Sequence, residues 1–227
     1  MPIPKTQLRL PKVLARDQVY QQLRLWLVEG VLMPGEKLNY HEIGKRLGFS
    51  VIPIREACMR LHYEGFIEMA HSRWTRVVDV DVKNTVEVCE TVEALEIYAF
   101  ESATPSLRSG DIRRLKSFNH ALQQALEDED RGDASLTDRS FHSVWVERLE
   151  NQRIKELLED CRDRIEIAER ELFGSGIHSS NMVGEHEAII DALEQKDFEE
   201  ATLLLRKHWL VRIDRLRAIS QKELNDK

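Results

Sequence analysis

Between Asn84 and Lys227 the chain has five glycines and one proline, Pro105, in 144 residues, and apolar residues recur three and four apart along most of that length. Glycine and proline interrupt helices, so a segment this poor in both is confined to long helices. The pattern breaks at Pro105 to Gly110, Asp130 to Ser135, Glu150-Asn151, Gly174-Ser-Gly176 and Gln195 to Asp197. The spacing predicts helices over residues 84–104, 110–129, 136–149, 151–173, 179–195 and 198–220, an all-helical bundle.

The first 80 residues read differently. Val19, Leu23, Trp26 and Leu27 recur at helical spacing before Gly30, which sits where a helix closes. After the Pro34-Gly35 turn, Asn39-Tyr-His-Glu42 reads as a capping box opening a short second helix that ends near Gly48. Ser50 is the next N-cap, and Ile54, Ala57, Cys58 and Leu61 form the inward stripe of a third helix running to about Glu64. Gly65 to Met69 and Trp74 to Val80 then read as two strands around a short turn. Helix, turn, capped helix and hairpin make a winged helix-turn-helix. The fold expected is therefore mainly α: a basic arm at 1–15, a winged helix-turn-helix at 16–80 and an all-α bundle at 84–220.

Charge divides along the same line. Residues 1–82 hold 12 Lys/Arg against 9 Asp/Glu, net +3, whereas residues 83–227 hold 21 against 31, net −10. Lys5, Arg9, Lys12 and Arg16 precede any acid. A basic head on an acidic body points to a polyanion at the head alone. The third helix is expected to enter the major groove of double-stranded DNA with its N-terminal residues, while the arm and the turn His71-Ser72-Arg73 neutralise phosphates. No window approaches the roughly 18 uncharged apolar residues of a membrane span. Met1-Pro2-Ile3-Pro4-Lys5 lacks the apolar core of a signal peptide. A cytoplasmic chain without a membrane partner is expected. Cys58, Cys89 and Cys161 form no CxxC pair, so they read as buried thiols and not as a disulfide or zinc framework.

The run Glu29 to Leu38, then Glu42-Ile-Gly-Lys-Arg-Leu-Gly-Phe-Ser50, Pro53-Ile-Arg-Glu-Ala57 and Arg60-Leu-His-Tyr-Glu-Gly65, resembles the GntR family of bacterial transcriptional regulators. The resemblance implies that Ser50, the following Val51 and Arg55 lie against DNA. The DNA-facing set expected is Arg16, Lys45, Arg46, Ser50, Val51, Ile52, Arg55, His71 and Arg73. Two departures stand out: Val51-Ile52 replaces the family's Arg-Thr, and the wing glycine is replaced at or near Trp74. Val51 and Ile52 carry no hydrogen-bond code and contact at most a thymine methyl.

In the bundle, Asp138 and His142 are four apart and share a helix face. His186 lies about nine residues before the turn at Gln195–Asp197 and His208 about ten after it. Antiparallel packing at about 1.5 Å per residue brings these two to one level. Asp197-Phe-Glu-Glu200 caps the last helix. One carboxylate and three imidazoles form a divalent-metal set; Zn²⁺, Ni²⁺, Mn²⁺ and Fe²⁺ all accept it. His41, His62, His71, His120 and His178 have no such arrangement.

The stretches Asp138-Arg-Ser-Phe-His142, Asn151, His186-Glu-Ala-Ile-Ile190, Asp191, Asp197, Ala201 and His208 resemble the FCD ligand-binding domain of FadR-type GntR regulators. The resemblance implies that Asp138, His142, His186 and His208 hold a metal whose shell a small carboxylate effector completes. Many relatives have Arg where this chain has Val92, so the effector differs, is held by metal and hydroxyls, or is not a carboxylate. The function expected is a homodimeric, metabolite-responsive regulator and not an enzyme. One alternative is a metalloenzyme with Glu185 or Glu187 as proton carrier, another a sensor that has lost specific DNA recognition. The helix face of Leu95 and Ile97 reads either as dimer surface or as core.

Overall fold

Among the described residues, three helices and a hairpin form the first of two units into which the computed structural model divides, the boundary falling between Asp79 and Val80. The structure describes residues 14–70, 73–172 and 181–225. The arm residues Lys5, Arg9 and Lys12, the turn residues His71 and Ser72, the Gly174-Ser-Gly176 break and His178 lie outside these.

In the first unit, α1 (Ala15–Val28) turns Val19, Tyr20, Leu23 and Leu27 onto α3 (Val51–Tyr63), whose Ile54, Ala57, Cys58 and Leu61 are buried as the periodicity predicts. Between them α2 (Tyr40–Leu47) is capped by Asn39, whose side-chain oxygen accepts from the His41 and Glu42 N–H groups at 3.0 and 3.3 Å, with no return bond from Glu42. The turn into α3 depends on two glycines. Gly48 adopts φ +74°, a left-handed conformation that costs other residues energy. A Cβ on Gly44 would stand 2.7 Å from the Phe49 carbonyl oxygen, so the turn closes only over a residue without one. Ser50 holds the N-cap position of α3 in extended backbone, yet its hydroxyl makes no cap bond.

The hairpin pairs β1 (Ile67–Ala70) with β2 (Trp74–Val77), antiparallel, from Ile67 opposite Val77 to Ala70 opposite Trp74. The other edge of β2 is covered by the Pro34–Leu38 segment: Leu38 donates to the Thr75 carbonyl at 2.8 Å and Val77 to that of Glu36 at 2.9 Å. The sequence marks only the Pro34-Gly35 turn within this segment. Its extra rung satisfies backbone groups that would otherwise face water at the sheet edge.

The second unit is helical among its described residues: α4 (Val82–Ala103), a 3₁₀ turn at Thr104–Ser106 containing Pro105, α5 (Ser109–Glu127), α6 (Arg131–Arg148), α7 (Gln152–Glu171), α8 (Met182–Glu194) and α9 (Phe198–Asn225). α4 packs on α9, α7 and α6; α5 packs on α6 and α8; α8 packs on α9. The expected break from Asp130 to Ser135 is corrected: α6 begins at Arg131, because the Asp130 carboxylate accepts from the Asp133 N–H at 3.0 Å and Gly132 is tolerated in a capped first turn. Asp81 likewise starts α4 earlier than expected, and α9 runs five residues beyond Ser220. Asn151 caps α7, and Asp197 accepts from the Glu200 N–H at 3.0 Å.

Phe100, Phe141 and Trp145 meet edge to face in the core with Ile189, Leu205 and Leu216. Ile97 is core, and Leu95 packs partly against it. Asp111, buried in the first turn of α5, accepts from the Arg108 N–H at 2.8 Å and pairs with Arg148 of α6 at 2.8 Å. Burial opposes its ionisation, but Arg148 and the Arg108 N–H hold its carboxyl below the ordinary range. Cys58 and Cys89 are buried, whereas Cys161 is only half-buried. No helix among the described residues is long and apolar enough to cross a membrane.

Candidate functional site

Asp138 and His142 lie one turn apart on α6, and α8 and α9 bring His186 and His208 against them, so the four come from three helices. Each is at most 5 % exposed, and their potential ligand atoms all lie within 4.8 Å of one another. Asp138 Oδ1 stands 3.4 Å from His186 Nε2 and 3.7 Å from His142 Nε2. The ring centroids of His186 and His208 are 4.9 Å apart, and the His186 ring stacks flat on Phe141 at 3.8 Å.

The outer sides of these groups are held by partners that fix which atoms face inward. His142 Nδ1 bonds to Glu96 Oε1, and His208 Nδ1 to Glu185 Oε2 at 2.8 Å. An ionised carboxylate only accepts, so each Nδ1 carries the hydrogen and each Nε2 of the neutral ring presents a lone pair. Asp138 Oδ2 accepts from Arg212 Nη2 at 3.0 Å, leaving Oδ1 free. Asp138 Oδ1, His142 Nε2, both His186 nitrogens and His208 Nε2 are buried without a hydrogen-bond partner. Converging buried lone pairs repel and are desolvated unless a cation lies between them. The donor set and its orphaned atoms therefore fit a divalent ion with imidazole and carboxylate ligands.

Electrostatics favour the ligand forms. Burial pushes the His186 pKa well below the usual imidazole value, with His208 adding to the effect. His208 is also lowered, by burial that outweighs its bond to Glu185. Burial opposes ionisation of Asp138, but the Arg212 guanidinium holds its carboxyl well below the carboxylate range. Glu96 is wholly enclosed; His142 and Arg162 overcome its desolvation and keep it ionised.

Beside Asp138 and His142 is a cavity of about 30 Å³ bordered also by Glu166, Glu169, Trp209 and three arginines, Arg139, Arg162 and Arg212. Each guanidinium already has carboxylate partners. Arg212 holds Asp138 at 3.0 Å and lies 3.2 Å from Glu169 Oε1, near enough for charge attraction though not aligned as a hydrogen bond. Arg162 holds Glu96 at 3.1 Å, and Arg139 holds Asp163 and Glu166 at 2.8 Å. Of these carboxylates Asp138, Glu166 and Glu169 line the cavity, whereas Glu96, Asp163 and Glu185 stand behind it. Val92 is completely buried among apolar residues.

Sequence reasoning missed Glu96, Arg162, Glu169 and Arg212. A signal was present: Cys89, Val92, Glu96, Phe100 and Ala103 are one buried stripe of α4, so Glu96 is an acid at a core position. Arg212 follows His208 by one turn, and Arg162 and Glu169 fall on the buried stripe with Leu158 and Ile165.

On the first unit, Val51, Arg55 and Arg73 border one groove of about 940 Å³ between α3 and the hairpin, together with Met59, Tyr63 and Trp74. Ser50 and Arg55 are exposed, Val51 is half-buried, and Ile52 is 71 % exposed. Arg16, Lys45 and Arg46 are exposed but do not border that groove. Trp74 lies under the Arg76 guanidinium, 4.9 Å from its ring centre. His71 is outside the described residues.

Residues 15–77 match the gntR family of bacterial regulatory proteins, and residues 87–210 match the FCD domain. The chain is 25 % identical over 197 residues to the HTH-type transcriptional regulator YdhC of Bacillus subtilis, covering 85 % of this chain and 86 % of that protein. It is 28 % identical over 188 residues to the HTH-type transcriptional regulator McbR of Escherichia coli, covering 83 % and 79 %. In fold it is similar to the solved structure of E. coli McbR/YncC, with TM-score 0.76 at 24 % identity over 91 % of this chain and 98 % of that one. It is similar also to a GntR regulator from Rhodococcus sp. RHA1, with TM-score 0.77 at 19 % identity, over 89 % and 97 %. The two matched segments account for most of its length, and with its three-helix head, its hairpin wing and its helical bundle the chain belongs to the GntR family as a transcriptional regulator with an FCD domain.

Proposed function

We propose that this regulator holds a divalent cation on Asp138, His142, His186 and His208, and that a small effector entering beside that cation alters its hold on DNA. The observation that carries the reading is the set of buried ligand atoms left without hydrogen-bond partners and facing one another. When bound, the cation supplies a Lewis-acid site for an anionic donor of the effector. Glu96 and Glu185 orient the imidazoles, and Arg212 keeps Asp138 ionised. Zn²⁺, Ni²⁺, Mn²⁺ and Fe²⁺ all suit the donors, so occupancy follows availability.

The head, residues 16–80, reads an operator in the major groove through Ser50, Val51, Ile52 and Arg55. Arg16, Lys45, Arg46, His71 and Arg73 serve the phosphates, with the arm at 1–15 adding positive charge. The bundle, 84–220, is the sensing unit. A cytoplasmic homodimer on a two-fold site suits these parts. An effector acts only if it binds one state of the protein better than the other.

The test combines elemental analysis with gel retardation on fragments selected from random DNA. The intact chain should retain about one cation per protomer, and His186→Ala should release it. Arg55→Ala should weaken selected over random DNA by about tenfold or more. A chain free of stoichiometric cation overturns the sensing part. Equal affinity for selected and random DNA overturns specific recognition and favours the reading of Val51 and Ile52 as a lost code.

A further inference from the structure

The charge around the cavity limits what can enter it. This step rests on the cation reading above and extends it to the chemistry of the effector. Every guanidinium on the cavity already holds a carboxylate: Arg212 holds Asp138, Arg162 holds Glu96, and Arg139 holds Asp163 and Glu166. None of the three is left over for a second anionic group of a ligand. Buried charge without compensation is strongly disfavoured.

Two residues that line the cavity each carry a polar atom with unmet hydrogen-bonding capacity. Glu169 Oε1 is a buried acceptor and Trp209 Nε1 a buried donor, and neither has a hydrogen-bond partner. A ligand that satisfies cation, acceptor and donor at once needs an anionic oxygen and a charged or polar hydrogen close together. We propose that the effector is a small zwitterion with an α-amino acid head. Its carboxylate sits on the cation and within reach of the Trp209 N–H. Its ammonium faces Glu169, with Glu166 behind it. Such a head adds no net charge to the site.

The test uses the full chain loaded with Zn²⁺, its metal content measured first, and titration calorimetry with three probes: L-alanine, L-lactate and malonate. Alanine and lactate differ only in ammonium against hydroxyl. Alanine should bind at least about tenfold tighter than lactate, the size expected of a charge-assisted hydrogen bond, and malonate more weakly still. In Glu169→Gln the preference for alanine over lactate should shrink to less than about threefold. That ratio is insensitive to a merely structural loss, and Glu166→Gln gives a second reading if the first variant folds poorly. Lactate or malonate binding as tightly as alanine overturns the proposal, as does failure of all three to bind protein that holds one cation. Protein that takes up no cation overturns instead the reading of the cluster on which this rests.

Discussion

Glu96 is enclosed by protein on every side and receives three donors: the His142 ring, the Trp145 indole at 3.0 Å and Arg162 at 3.1 Å. Its negative charge makes the His142 Nε2 lone pair a better donor to a cation, so it acts on the site without touching it. Replacing it by the isosteric amide keeps the volume and removes the charge. Glu96→Gln should therefore lower cation affinity about 10- to 100-fold, read by competition with a chromophoric chelator, with little change in helix content; an affinity within twofold of the parent would show that Glu96 only fills space. The meeting of Asp138, His142, His186 and His208 was legible in the sequence because they follow a helical spacing and an equal-arm rule. Glu96, Arg162, Glu169 and Arg212 were not, because periodicity marks a buried position but not whether a charge placed there is paired, and the pairing is made across helices far apart in the chain.

At the scale of elements, the helices were legible from apolar spacing, and their ends less so. α6 starts earlier than the spacing predicts because a side-chain cap from Asp130 outweighs the weak helix preference of Gly132. The rung that Pro34–Leu38 adds to β2 was invisible because it depends on tertiary proximity. Asp111 shows what one end contributes: it closes α5 and ties it to α6. Its pKa in the folded chain is lowered, so the stability it gives is fully present above the unfolded carboxylate value of about 4 and is lost as pH falls through the folded value. Asp111→Asn should cost on the order of 1–3 kcal/mol near neutral pH and flatten the fall in stability on acidification below about pH 4, both read from urea unfolding; parallel acid profiles would refute it. The exposed first turn of α3 makes a different prediction. A thymine methyl packed on Ile52 is worth about 0.8 kcal/mol, so replacing dT by dU beneath it should weaken binding about fourfold in the parent chain and not in Ile52→Ala. Indifference of the parent to every such replacement would exclude methyl reading.

At the scale of the whole chain, an acidic bundle with net −10 beside a head with net +3 keeps the two units from competing for the same polyanion. The bundle's centre is polar, with Asp138, His142, His186 and His208 buried and facing one another. Removing the cation with a chelator should lower the thermal midpoint, since a cation at 100 times its dissociation constant adds about 2.7 kcal/mol to the folded state; differential scanning calorimetry with and without restored metal checks this, and coincident traces would contradict it. α4 carries Glu96, whose carboxylate bonds to the His142 ring. The helix opens at Val82, three residues after Asp79, and runs unbroken past Glu96, about 21 Å along its axis. Glu96 therefore loads the same rod that opens the second unit, so a shift of the His142 ring pulls on that helix as a whole.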